Sequence, residues 1–272
     1  MTPGIRCYRR CVPKPTAADP GAPHPFFLPP RPRVFAHRGL ATEAPENTPL
    51  AFAAAIAADA EYIETDVHAS ADGVAMIAHD PDLQRTAGRD VRVSQLTKVE
   101  LGRLDLGERQ HMPTLAEVLD GFPETRFNID IKSADAVEPT VRTILDLGAV
   151  DRVLVSSFDE RRRRAAVDRL PGVATSASST RFVEALAAAK LGLRSGVVRA
   201  LRGMQAVQIP ERALRISTIT PRTIAAFHAA SVEVHVWTIN DPVRMAELLD
   251  LGVDGIVTDR ADLALQVVAA RS

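Results

Sequence analysis

The stretch VEVHVWTINDPVRMAELLDLGVDGIVTD, running from Val232 to Asp259, decides the fold. Val232 to Trp237 is a short β-branched run, Pro242 to Leu251 has helical spacing, and Gly255 to Thr258 is a second β-branched run. A strand, a helix and another strand joined by such short connections form a parallel βαβ unit. Working back toward the N-terminus, the same alternation predicts strands at Arg33 to His37, Tyr62 to Val67, Arg126 to Ile131, Val153 to Ser156, Val173 to Ser176 and Ala206 to Ile209. Helices are predicted at Asn47 to Ala58, Val137 to Leu147, Glu160 to Leu170, Arg181 to Leu191, Pro221 to Ala230 and Asp262 to Ala270. Eight strands with intervening helices fit an α/β class fold, a single (β/α)8 TIM-type barrel, better than an open sheet.

The interval from Val67 to Arg126 is about twice a normal crossover, so an insertion after the second strand is expected at about 68–125. Within it, Val74 to Ala78 reads as an extra strand, and Ser94 to Gly102 and Thr114 to Leu119 read as helices. Residues 1–33 are dense in Pro and small residues and read as a flexible leader ahead of a catalytic domain at 34–272. The leader's Cys7 and Cys11 are the only cysteines, and reduced, idle thiols are the expectation for them.

With 46% hydrophobic and 25% charged residues, the 272-residue chain has the composition of an ordinary globular protein. A formal net charge of -1 without long blocks of one sign gives no footprint for nucleic acid or an anionic membrane. The local exception, Arg161 to Arg164, reads as a solvated helix face. No run suits a secretory signal or a membrane anchor, so a cytoplasmic location is expected. The oligomeric state is not legible.

The chemistry-bearing residues fall at strand ends. His37 and Arg38 close the first strand, and Glu64 and Asp66 share one face of the second, with Cα atoms about 6.6 Å apart. Such a pair repels unless a hard cation, Mg²⁺ or Ca²⁺, joins it; taken alone it reads rather as a solvated strand end with salt bridges. His79 follows an apolar run, and Asn128, Asp130 and Lys132 alternate with isoleucines, which also describes a salt bridge inside a barrel. Asn47 has the residue type of a helix cap. Together, two bases, several acids and two cations near one barrel rim suit phosphoryl chemistry.

The strings FAHRG (Phe35 to Gly39), APENT (Ala44 to Thr48), IETDV (Ile63 to Val67), HDPDLQRTAG (from His79), MPTLAEVL, FNIDIK, VWTIN and GVDGIVTD resemble, in order and spacing, the glycerophosphodiester phosphodiesterases. The resemblance spans roughly nine-tenths of the chain. It implies a (β/α)8 barrel splitting glycerophosphodiesters into glycerol 3-phosphate and an alcohol, and the short insertion is similar to the compact bacterial members. It further implies His37 and His79 as the acid/base pair, Arg38 gripping phosphate, and Glu64, Asp66 and Asp130 around one divalent cation, Mg²⁺ or Ca²⁺. Asp130 stands where the family more often has Glu, which shortens its reach by about 1.5 Å and admits an intervening water. Lys132 would sit by the phosphate, Trp237 in the glycerol pocket wall, and Asn47 in the substrate-facing turn.

Two rival functions remain at this level. A phospholipase D-like or lyase relative acting on lysophospholipids or sphingolipids would need an apolar rim, for which the sequence offers chiefly Phe26, Phe27 and Leu28. A catalytically silent phosphate-binding barrel would have no use for the paired histidines and clustered acids.

Overall fold

Alternate residues along the short apolar runs separate into two clusters, and that separation builds the molecule. Ile63, Phe127, Val155, Val207, Val234 and Ile256 pack with helix residues such as Phe52, Leu115 and Leu248 in the large core. Phe35, Tyr62, Leu154, Ala174, Ala206 and Val257 form a second, smaller cluster. In a closed parallel sheet the first set faces the surrounding helices and the second fills the interior.

The computed structural model describes residues 24–213 and 216–271. The barrel strands are β1 (Arg33–His37), β2 (Tyr62–Ala69), β3 (Arg126–Ile131), β4 (Val153–Ser156), β5 (Ala174–Thr175), β6 (Ala206–Pro210), β7 (Glu233–Trp237) and β8 (Gly255–Thr258). Parallel pairing joins them in the order β5, β4, β3, β2, β1, β8, β7, β6, and a bridge between Ser176 and Ala206 connects the two ends. The expected (β/α)8 barrel is therefore present. Register places His37 beside Glu64, Glu64 beside Asn128, and Asp66 beside Asp130, so these polar residues share one end of the barrel.

Side-chain caps start the helices where the sequence changes period. Thr48 accepts from the Ala51 amide at the start of Pro49–Ala57, and Asp241 caps Pro242–Asp250 with Pro at the first turn. Thr48 rather than Asn47 is thus the cap, which releases Asn47 for another contact. Gly39 lies at φ +87°, and a Cβ there would meet the Ala51 carbonyl carbon at 2.7 Å. Glycine lets the loop carrying His37 and Arg38 lie directly against this helix.

The insertion departs from expectation in detail. Strand β2 continues to Ala69, Ala75–Ile77 folds back antiparallel on it, and Asp82–Leu83 pairs with Arg89–Arg92. The helix expected over Ser94 to Gly102 is instead a turn at Val93–Gln95 and a short helix at Lys98–Leu101, because a Thr97–Glu100 capping box restarts the chain there. Met76, Leu83, Val93, Leu101 and Met112 give the insertion its own apolar cluster. A helix at Arg194–Ala200 and a hairpin pairing Arg212–Ala213 with Ile216–Ser217 were not expected. Arg163 is buried, bonded to Glu160 and Thr175, so the arginine run is not wholly a solvated face.

The leader expectation needs correction over residues 24–33; Cys7, Cys11 and the rest of 1–23 lie outside the described residues. Pro25–Phe27 is a single 3-10 turn, and Phe26 is fully buried against Phe27 and Tyr62. The cause is the open lower end of the barrel interior, where Phe26 and Phe27 join the cluster around Phe35. Arg33 fastens the turn by donating to the Phe27 carbonyl. Phe26 and Phe27 therefore cannot form an apolar rim at the mouth. Among the described residues no helix is long and apolar enough to cross a membrane.

Candidate active site

At the C-terminal ends of the strands lies a cavity of about 380 Å³. Its charged half is formed by His37, Arg38, Glu64, Asp66, His79, Asp130 and Lys132, and Trp237 stands on its wall. Of the residues expected in the site, only Asn47 is outside this lining. It lies buried behind the acids, donating to Asp66 Oδ2 at 3.0 Å and accepting from Thr65 Oγ1 at 2.8 Å.

The two histidines are held in the same way. His37 Nδ1 lies 2.6 Å from Asp259 Oδ1, and His79 Nδ1 lies 2.7 Å from Asp80 Oδ1. Each carboxylate accepts a hydrogen bond from Nδ1–H and leaves Nε2 for chemistry. His37 Nε2 is 3.8 Å from Glu64 Oε2. Burial disfavours the His37 imidazolium, but the Asp259 hydrogen bond and the Glu64 charge outweigh it and raise the pKa above its ordinary value. Asp259 is itself held by the Asn240 amide at 2.7 Å.

Carboxylates and cations alternate behind the imidazoles. Lys132 Nζ bridges Asp66 Oδ1 at 2.8 Å and Asp130 Oδ2 at 2.6 Å, and Arg38 Nε is 3.3 Å from Asp66 Oδ2. Burial would raise the Asp66 pKa, yet Lys132, Arg38 and the Asn47 amide hold it below the ordinary carboxylate value. Burial also opposes the Lys132 charge, and its two acids hold its pKa above the usual lysine range. Burial first, then the Asp66 charge, pushes the Glu64 carboxyl up to about 8, and burial raises Asp130 as well.

Among the described residues no three His, Cys, Asp or Glu side chains form a ready cation cluster. The Lys132 ammonium occupies the space between two of the acids. Glu64 Oε2 and Asp130 Oδ1 are nevertheless buried without a hydrogen-bond partner. Bare, buried carboxylate oxygens lining an open mouth fit a hard divalent cation, which takes oxygen ligands and water together.

Sequence reasoning missed several residues. Asp259 follows β8, and only barrel closure brings it beside β1. Arg85 links Asp80 at 2.6 Å to Glu46 at 2.7 Å, and Glu46 accepts from Arg38 at 2.9 Å. The insertion thus fastens His79 to the Arg38 loop. Beside the charged half, Phe158, Phe182, Val183, Pro210 and Ala213 make an apolar flank, with Phe158 edge-on to Trp237 at 5.8 Å and 5.7 Å from Lys132 Nζ. This is the rim that the sequence had not revealed.

Fold and site together define a (β/α)8 hydrolase equipped for phosphate esters. Residues 37–263 match the family model described as the glycerophosphoryl diester phosphodiesterase family. A relative from Mycobacterium tuberculosis, "Probable glycerophosphodiester phosphodiesterase 2", is 44% identical over 257 residues, covering 93% of this chain and 97% of its own. The glycerophosphodiester phosphodiesterase of Agrobacterium tumefaciens superposes with a TM-score of 0.73 at 26% identity, covering 87% of this chain and 99% of that one. An Oleispira antarctica phosphodiesterase, solved with the product sn-glycerol-3-phosphate, has a TM-score of 0.73 at 23% identity, covering 88% and 97%. The chain belongs to the glycerophosphoryl diester phosphodiesterase family and is a phosphoric diester hydrolase.

Proposed function

We propose that the mouth cavity binds a glycerophosphodiester and releases glycerol 3-phosphate and an alcohol, with His37 and His79 as the acid/base pair. The observation that carries this reading is the pair of imidazoles, each anchored at Nδ1 by a carboxylate, opening on one cavity with Arg38 and Lys132. One imidazole accepts the proton of the attacking oxygen, from water or the neighbouring glycerol hydroxyl, as the new P–O bond forms, and the other protonates the departing alkoxide as its P–O bond breaks. Where the glycerol hydroxyl attacks, water then opens the cyclic phosphate to glycerol 3-phosphate. Arg38 and Lys132 offset charge on the phosphoryl oxygens. The product bound to the Oleispira relative supports glycerol 3-phosphate as the product here.

Glu64, Asp66 and Asp130 would hold one divalent cation, Mg²⁺ or Ca²⁺, which when bound supplies Lewis-acid polarisation of the phosphoryl group. The bare oxygens of Glu64 and Asp130 support that assignment. Asn47 serves by orienting Asp66, and Trp237 closes the glycerol side of the cavity. The test is a panel of choline, ethanolamine, glycerol and inositol diesters, assayed for released glycerol 3-phosphate. No release from any of them would sink the proposal.

A second reading draws on the apolar flank of Phe158, Phe182 and Val183, which suits an acyl chain on the substrate. Incubation with glycerophosphocholine and lysophosphatidylcholine separates the two; turnover of the lipid alone would replace the first reading.

A further inference from the structure

Asn128 shares its strand face with Asp130 and has no part in the acid/base or cation chemistry. It is 3% exposed, it lines the mouth cavity, and its Oδ1 is buried without a partner. Which way its amide faces is decided at the other end of the barrel. Arg33 donates from Nε and Nη2 to the two oxygens of Glu233 at 2.7 and 2.9 Å. Burial works against the Glu233 charge, but the Arg33 and His235 hydrogen bonds hold its pKa down at about 2.

A carboxylate only accepts, so His235, fully buried and 3.1 Å away, presents an Nε2 proton to it. With the proton on Nε2, Nδ1 presents its lone pair, and Gln208 Nε2 donates to it at 3.5 Å. That leaves Gln208 Oε1 to accept from Asn128 Nδ2 at 3.2 Å. The polarity propagates from Glu233 to Asn128, and what reaches the cavity floor is an acceptor oxygen.

We infer that the Asn128 carboxamide oxygen is a specificity-determining acceptor for a free hydroxyl of the substrate's glycerol moiety, oriented by the interior relay through Gln208, His235 and Glu233. This deepens the phosphodiesterase reading and rests on it. A buried acceptor that loses its donor is penalised, so a ligand lacking hydroxyls binds less well than one carrying them.

The test is calorimetric titration of the full chain with glycerol 3-phosphate and with propyl phosphate, which lacks both hydroxyls. The wild type should bind the first about tenfold more tightly. Asn128→Leu, close to Asn in shape, should bring that ratio near one. Gln208→Leu removes the hold on the amide but not the oxygen, and should lower the ratio at least threefold. Should Asn128→Leu fail to fold by circular dichroism, the Gln208 variant carries the test. A wild-type ratio near one, or a ratio unchanged in the folded variants, overturns the inference; the latter is the outcome if ordered water satisfies Asn128 instead. Because binding is read directly, a chain that prefers glycerol 3-phosphate but turns over no diester would refute the phosphodiesterase reading separately.

Discussion

His37 Nδ1 and Asp259 Oδ1 stand 2.6 Å apart although 222 positions separate them in the chain, and barrel closure between β1 and β8 is what joins them. The carboxylate fixes the tautomer that presents Nε2 to the cavity. In Asp259→Asn the amide can donate to Nδ1 and favour the wrong tautomer. The expected result is a loss in kcat of about 100-fold or more, with a melting temperature within a few degrees of wild type. A kcat within threefold of wild type would remove Asp259 from the site.

His37→Ala and Glu64→Ala should each lower turnover at least about 100-fold without unfolding the protein, since the proposed mechanism uses one as an acid/base and the other as a cation ligand. Steady-state kinetics together with circular dichroism check this. Near-wild-type rates in both variants would reject the assigned site.

Chelation should abolish activity, and Mg²⁺ or Ca²⁺ should restore it, because Glu64 Oε2 and Asp130 Oδ1 have no hydrogen-bond donors. Rates before and after EDTA, and after adding back each ion, are the measurement. Activity indifferent to the chelator would take the metal out of the mechanism.

Phe26 has no exposed surface, so Phe26→Ala should cost about 3 kcal/mol in urea unfolding. The site is at the opposite end of the barrel, and kcat should hold at temperatures where the variant stays folded. A cost below about 0.5 kcal/mol would mean that the turn at Pro25–Phe27 does not seal the barrel.

Glu233 gives a pH signature. Its folded pKa of about 2 lies below the ordinary 4.5, so its stabilisation is complete above about pH 4.5 and fades as pH falls toward 2. Glu233→Gln should therefore be less stable than wild type by about 2 kcal/mol at pH 7, allowing for the partial exposure of Glu233. The difference should narrow on acidification below about pH 4.5. Urea midpoints at several pH values test it, and a gap that widens toward acid would contradict the Arg33–Glu233 pairing.

By itself the sequence determined the local matters. Period-two apolar runs such as Arg126 to Ile131 specify strands, Thr and Asp caps specify helix starts, and the positions of His37, Glu64, Asp66 and His79 near strand ends mark the rim of the mouth cavity. These are readable because each depends on neighbours within a few residues. Only the tertiary structure decided that Asp259 reaches His37, that Arg85 ties His79 to the Arg38 loop, and that Lys132 lies between Asp66 and Asp130. It also decided that Phe26 plugs the barrel and that Glu233 sets the polarity of Asn128. Those meetings depend on which strands and loops lie side by side, in the case of His37 and Asp259 on closing a sheet whose first and last strands lie more than 200 residues apart, and no local period or spacing encodes them.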